Sequence, residues 1–117
     1  MADYKEQILK GIRDKLLSVL PAGSTALLYG SQARGDEHPG SDWDVLIIVE
    51  KDKVSLAENA TITYPVIMYG WEQGLEINPV LYTRQEWEAN KYTPFAENVM
   101  RDGLKIPPSS SDILSNH

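Results

Sequence analysis

The run DWDVLIIV at Asp42–Val49 constrains this chain more than any other segment. Val45–Val49 carries no polar residue and is mostly β-branched, so in water it is stable only as a strand covered on both faces. A sheet therefore stands at the centre, and helices must supply its cover. The same strand opens on two carboxylates, Asp42 and Asp44. Residues two apart on a strand share a face, so these acids lie side by side while Trp43 points the other way, into the core.

The remaining elements follow from periodicity and punctuation. A helix is expected over Asp3–Leu20, where Asp3 and Glu6 have capping-box spacing and Leu9, Ile12, Leu16, Val19 and Leu20 form one apolar stripe. Pro21 and Gly23 stop it. Thr25–Tyr29 reads as a short buried strand, Gly30-Ser31 as a turn, Ser31–Arg34 as a short helix and Asp36–Gly40 as a loop. Val54–Gln73 is expected to be helical, with Pro65 interrupting it or starting a second piece and Gly74 as its stop. Leu75–Tyr82 is a third strand, which Pro79 assigns to a sheet edge or a bulge. Thr83 and Glu86 again have capping-box spacing ahead of a helix over Arg84–Asn90. Thr93-Pro94 reads as N-cap and first helical position of a helix Pro94–Asp102 that ends at Gly103. The expected fold is α/β (α+β), a small mixed sheet packed with helices; residues 1–106 form the domain and 107–117 (PPSSSDILSNH) a loose tail.

Length and composition narrow the functional classes. At 117 residues the chain is one domain. Its net charge of −6 disfavours a long nucleic acid, which calls for a basic face, yet is compatible with a small triphosphate whose charge is met by metal ions. Cysteine is absent, which removes disulfides and thiolate metal sites. No apolar run reaches the roughly 18 residues that span a bilayer, and Met1–Arg13 lacks an apolar leader, so a cytoplasmic protein without a membrane partner is expected. His38 and His117 lack partners at zinc-ligand spacing.

Chemistry concentrates in Gly30–Val45, GSQARGDEHPGSDWDV. Two adjacent carboxylates repel one another unless a cation joins them, and Mg²⁺ is typically held by one or two carboxylates together with phosphate oxygens. Two such ions can clamp the attacking and leaving oxygens of a phosphoryl-type transfer. Upstream, a strand running through Gly30-Ser31 into a helix presents free backbone N–H groups and a hydroxyl, an anion site that glycine lets a phosphate approach closely. No Walker-type GxxxxGK[ST] is present. Arg34 is placed either to touch phosphate or to brace the loop through Asp36 or Asp42; Ser41, counted with Gly30, Ser31 and Arg34 in the nucleotide-binding set, is expected to set the loop by a hydroxyl–backbone bond more than to contact substrate. Asp36 and Glu37 read as solvated loop charges, and Trp71 and Trp87 as packing residues.

GSQARG followed by SDWD resembles the signature GSxARGxxxxxSDxD of the short bacterial polymerase-β-like nucleotidyltransferases, with Gly30, Ser31, Ala33, Arg34, Gly35, Ser41, Asp42 and Asp44 in register. The WE and PFAENVMRDG segments are similar to the C-terminal part of these minimal nucleotidyltransferases. The resemblance implies a polymerase-β-like fold. It also implies that Gly30-Ser31 holds the β- and γ-phosphates and that Asp42 and Asp44 bind the metals, two Mg²⁺ ions. It further implies transfer of a nucleoside monophosphate, AMP from ATP, onto an acceptor hydroxyl. A third carboxylate normally follows on a later strand, and the acid available here is Glu76, one methylene longer than the family's aspartate. Glu76 is therefore the expected third ligand or base. Little of the chain remains to form an acceptor domain, so the acceptor site is expected from a partner or a second copy. Short members of the family pair with a small helical HEPN protein in toxin–antitoxin systems, where the nucleotidyltransferase is the antitoxin and can AMPylate a tyrosine of its partner. The alternatives are a small-molecule nucleotidyltransferase of the aminoglycoside-modifying type and a non-catalytic module that binds nucleotide or partner.

Overall fold

A computed structural model describes residues 4–106. Helix α1 (Tyr4–Leu17) leads into strand β1 (Thr25–Tyr29), helix α2 (Ser31–Arg34) and strand β2 (Trp43–Val49). Helix α3 (Leu56–Glu72) then crosses to strand β3 (Ile77–Thr83), followed by α4 (Arg84–Ala89), α5 (Pro94–Asp102) and β4 (Leu104–Ile106). The four strands lie in the order β3-β2-β1-β4. β1 pairs antiparallel with β2 and β4, whereas β2 and β3 run parallel. This is the small mixed sheet packed with helices expected from the sequence.

Strand alternation sorts the core into two layers. Trp43, Val45, Ile47 and Val49 of β2 pack with Ile8, Ile12 and Leu16 of α1 and Ile62 and Val66 of α3. Leu46 and Ile48 face the other way, against Trp87 of α4 and Ala96 and Val99 of α5. The apolar run is thus covered on both sides, each fully buried aliphatic side chain contributing about 1.5–3 kcal/mol. Asp44 shares the parity of Leu46 and Ile48, so it lies on the α4–α5 side of the sheet.

Several expectations meet a different outcome. Asp3 and residues 107–117, including the expected tail and His117, lie outside the described residues. α1 ends at Leu17, before the expected Leu20. Pro65 neither interrupts nor divides α3. The N–H it lacks would have met the carbonyl of Thr61, an exposed residue whose carbonyl water can serve, while Ile62, Val66 and Gly70 anchor the helix on both sides. The third strand begins at Ile77 and leaves Glu76 just outside it; Pro79 falls on an edge strand, as proline requires. β4 was not legible, because a three-residue strand gains its identity only by pairing with β1. Trp71 is 55% exposed rather than packed, and forms a surface stripe with Tyr64 and Met68 along α3. Among the described residues no helix is long and apolar enough to cross a membrane.

The helix starts are chemically defined. Ser55 and Glu58 form a reciprocal capping box at α3, and Thr83 and Glu86 form another at α4. The Thr83 hydroxyl accepts from the Glu86 N–H at 3.0 Å while the Glu86 carboxylate accepts from the Thr83 N–H at 2.9 Å. Thr83 is buried, so its loss leaves a donor without a partner away from water. Thr83→Ala is expected to lower stability by about 1–2 kcal/mol, and the exposed Ser55→Ala by about 1 kcal/mol or less, in urea unfolding followed by circular dichroism.

Candidate active site

β1 delivers the chain to Gly30 beside the start of β2, because Tyr29 pairs with Asp44 across the antiparallel ladder. Gly30 adopts φ 75° and ψ −158°, a conformation open in practice only to glycine, and serves as N-cap of α2. A Cβ at Gly30 would lie 2.5 Å from Oδ2 of Asp44. The missing side chain therefore makes room for that carboxylate. The Gly30 carbonyl accepts from the N–H groups of Ala33 and Arg34, both at 3.1 Å. The first turn leaves the Ser31 and Gln32 N–H groups without an intrahelical acceptor.

The acids stand at the same mouth. Asp42 is exposed and Asp44 half-buried. Burial raises the Asp44 carboxyl above the ordinary carboxylate range; a hydrogen bond from the Asn78 side chain opposes this, and the charge of Asp42 adds a smaller upward push. Asn78 stands level with Asp44 in the parallel β2–β3 ladder. Continuing that register by one residue sets Glu76 beside Asp42, and the Glu76 carbonyl accepts from Trp43 N–H at 2.9 Å. The Glu76 side chain is exposed. Among the described residues no three His, Cys, Asp or Glu side chains form a group that could hold a metal ion, so Glu76, though level with Asp42, does not close a three-acid cluster with the two aspartates.

The loop between α2 and β2 is held by polar contacts rather than packing. The Ser41 hydroxyl accepts from His38 N–H at 2.9 Å, the hydroxyl–backbone bond expected from sequence. Gln32, 6% exposed, reaches the Ser41 carbonyl through its amide at 3.4 Å. Lys5 of α1 donates to the Gln32 carbonyl and to Glu37, each at 2.6 Å, and holds the Glu37 carboxyl below its ordinary range. Glu37 is thus a tether between α1 and the loop, not the solvated charge expected. Arg34 pairs with Asp36 at 3.1 Å and Asp102 of α5 at 3.7 Å, and not with Asp42. His38 is exposed and lies against the Pro39 carbonyl.

Below the acids, the same face of the sheet is aromatic. Tyr29 meets Phe95 edge-on at 5.4 Å, and Tyr82 lies 6.3 Å from Phe95 and 5.7 Å from Trp87. Burial, with smaller contributions from Asp44 and Tyr82, pushes the Tyr29 hydroxyl up to about 12. This apolar floor lowers the local dielectric around Asp44, which strengthens any charge interaction made there. Two features of the site were missed in the sequence. Asn78 could have been found by counting two residues on from Glu76 along the strand; the Lys5–Glu37 tether joins residues too distant in sequence to leave a local signal.

The nucleotidyltransferase domain family profile matches residues 6–105. A Methanocaldococcus jannaschii protein that carries the provisional name of protein adenylyltransferase is 34% identical over 104 residues, spanning 89% of this chain and 92% of that protein. Among solved structures, a chain from the crystal structure of a toxin–antitoxin with AMP-PNP superposes with a TM-score of 0.58 at 17% identity, covering 94% of this chain and 77% of that one. That last likeness speaks to the fold. With the family profile covering nearly the whole described chain and the signature residues brought to one strand mouth, this protein belongs to the nucleotidyltransferase domain family, as a minimal nucleotidyltransferase.

Proposed function

We propose that the chain is an adenylyltransferase that moves AMP from ATP to a hydroxyl on a partner protein. The observation that carries this reading is the closeness of the Asp44 carboxylate to the Gly30-Ser31 turn. A phosphate seated on the Ser31 and Gln32 N–H groups would face Asp44 at short range, and two anions that close repel strongly. The arrangement is reasonable only if a cation lies between them. Asp42 and Asp44 suit a hard divalent cation, since both offer carboxylate oxygens and glycine leaves the approach open. Mg²⁺ held there, as two ions, would supply charge stabilisation to the α-phosphate and the leaving pyrophosphate.

The chain's own groups then have separate tasks. Gly30 and Ser31 orient the β- and γ-phosphates, and Arg34, whose side chain is 45% exposed and paired with Asp36 and Asp102, adds positive charge at the same turn. Ser41 keeps the loop that leads into Asp42 in place. Glu76, exposed and level with Asp42, takes the proton from the acceptor hydroxyl as its oxygen bonds to the α-phosphorus and the α–β bridge breaks, releasing pyrophosphate. The same residue would complete the metal ligands alongside Asp42 and Asp44 once nucleotide is bound. A protein acceptor is supported by the name of the archaeal relative, and a toxin partner of the helical HEPN kind by the sequence resemblance and the toxin–antitoxin neighbour.

Calorimetric titration of ATP in the presence of Mg²⁺ tests the reading. Wild-type protein is expected to bind MgATP with micromolar affinity, and the double variant Asp42→Asn/Asp44→Asn to lose binding by about 10²-fold or more. Equal binding by the two proteins, or binding by wild type that ignores Mg²⁺, would overturn it.

A further inference from the structure

Asn78 is the residue that the parallel ladder sets level with Asp44, on the same face of the sheet, which places its amide beside the Asp44 carboxylate. Gly30 closes the other side of the same carboxylate, where a Cβ would come within 2.5 Å of Oδ2. Asp44 thus lies between a neutral amide and a bare backbone, and an amide N–H so placed can steady its carboxylate. This placement has two consequences. It fixes the carboxylate, so that less freedom is lost when an ion binds. It also places an amide, which adds no negative charge, where a third acid would otherwise complete the set.

Resting on the nucleotidyltransferase reading of this site, we propose that Asn78 is a positioning residue that sets when the metal binds. By holding Asp44 without adding charge, it keeps the metal affinity of the free protein low and makes tight binding depend on the nucleotide's phosphates. Charge count is a principal determinant of divalent-cation affinity, and a site of two carboxylates leaves several coordination positions for phosphate oxygens and water. Glu76 does not fill the deficit in the free protein, since no three acids gather there among the described residues. The exposed position of Asn78 leaves room for a carboxylate of nearly the same shape. Asn78→Asp would then juxtapose three acids, Asp42, Asp44 and position 78, repelling one another until a cation binds.

Mn²⁺ is a suitable probe, with free ion counted by its electron paramagnetic resonance signal, with and without α,β-methylene-ATP. Wild type is expected to bind Mn²⁺ weakly alone and at least about 30-fold more tightly with the nucleotide analogue. Asn78→Asp is expected to bind Mn²⁺ about 10-fold or more tightly without nucleotide, which shrinks the nucleotide-dependent gain. Asn78→Ala, which frees Asp44 without adding charge, is expected to weaken Mn²⁺ binding in the presence of the analogue by about three- to tenfold. A purely structural role would weaken Mn²⁺ binding in both variants, whereas here Asn78→Asp tightens it without nucleotide and Asn78→Ala weakens it with the analogue. Circular dichroism establishes that each variant is folded; if Asn78→Asp does not fold, the Asn78→Ala arm decides. The inference is overturned if a folded Asn78→Asp binds Mn²⁺ no more tightly than wild type, or if Asn78→Ala matches wild type. Nucleotide-linked Mn²⁺ binding by wild type beside either of those results would leave the site reading standing and remove the role of Asn78. Absence of any Mn²⁺ binding by wild type, even with the analogue, would remove both.

Discussion

Replacing Asp44 with asparagine is expected to lower nucleotide transfer by about 10³-fold or more while leaving the melting temperature unchanged or higher. The two halves have one cause. Asp44 sits on the buried side of β2, above Tyr29, Tyr82 and Phe95, and burial raises its carboxyl above the ordinary value of 3.8. A carboxyl raised in the folded state binds its proton more tightly there than in the unfolded chain. Its ionisation therefore opposes folding, a penalty absent below the ordinary value and growing as pH rises through the raised one. Asparagine removes the charge, keeps an oxygen to accept from Asn78, and preserves shape. Scanning calorimetry at pH 7 should show the variant at least as stable as wild type, and the difference should close as pH falls toward 4. A variant clearly less stable at pH 7 would mean that Asp44 is held by attractive charges, and the electrostatic account would be wrong. Transfer of radiolabelled AMP by the variant at near the wild-type rate would refute its place in the site.

Gly30→Ala is the second large effect, and it differs in kind because stability and activity should fall together. The backbone at Gly30, φ 75° and ψ −158°, costs a non-glycine residue about 1–3 kcal/mol. In addition, the new methyl would meet Asp44 Oδ2 at 2.5 Å, and the carboxylate must move. A displacement of about 1 Å in a reacting constellation can cost about 10²-fold in rate. The expected outcome is a melting temperature lower by roughly 4–15 °C and transfer reduced by about 10²-fold. Gly40→Ala provides the comparison, since Gly40 also has positive φ (86°) but a Cβ there meets nothing within 4 Å. It should carry a backbone penalty with much less loss of transfer. Equal losses in the two variants would show that backbone strain alone, and not contact with Asp44, explains the effect.

Much of this site was legible because its parts are local. The spacing of Asp42 and Asp44 on a strand fixes a shared face by the two-residue repeat alone, and Trp43 is only 3% exposed on the opposite face for the same reason. The start of α5 at Thr93-Pro94 and the capping box at Thr83 and Glu86 likewise follow from hydrogen-bonding rules that act within four residues. Elements whose identity depends on distant partners were not legible in this way. Leu104–Ile106 is a strand because β1 lies beside it. Pro65 remains inside a single helix because Ile62 and Val66 are buried against the sheet and α1, which outweighs the bond proline removes. Trp71 shows the converse: apolar character alone does not say which face of α3 meets the core, and Val66 and Gly70 claim that face instead.

By itself, the sequence determined a buried central strand, the helices around it, and an acid pair downstream of a glycine-serine turn, since each is set by short-range periodicity, capping or turn chemistry. Tertiary structure alone decided how close those parts come. Antiparallel pairing of Tyr29 with Asp44 brings the turn against the acid, and the parallel register of β3 sets Asn78, an amide, level with Asp44 while leaving Glu76 exposed at the rim. Register is a property of strand pairing across loops and a helix of many residues, and a shift of one position would turn every side chain to the opposite face.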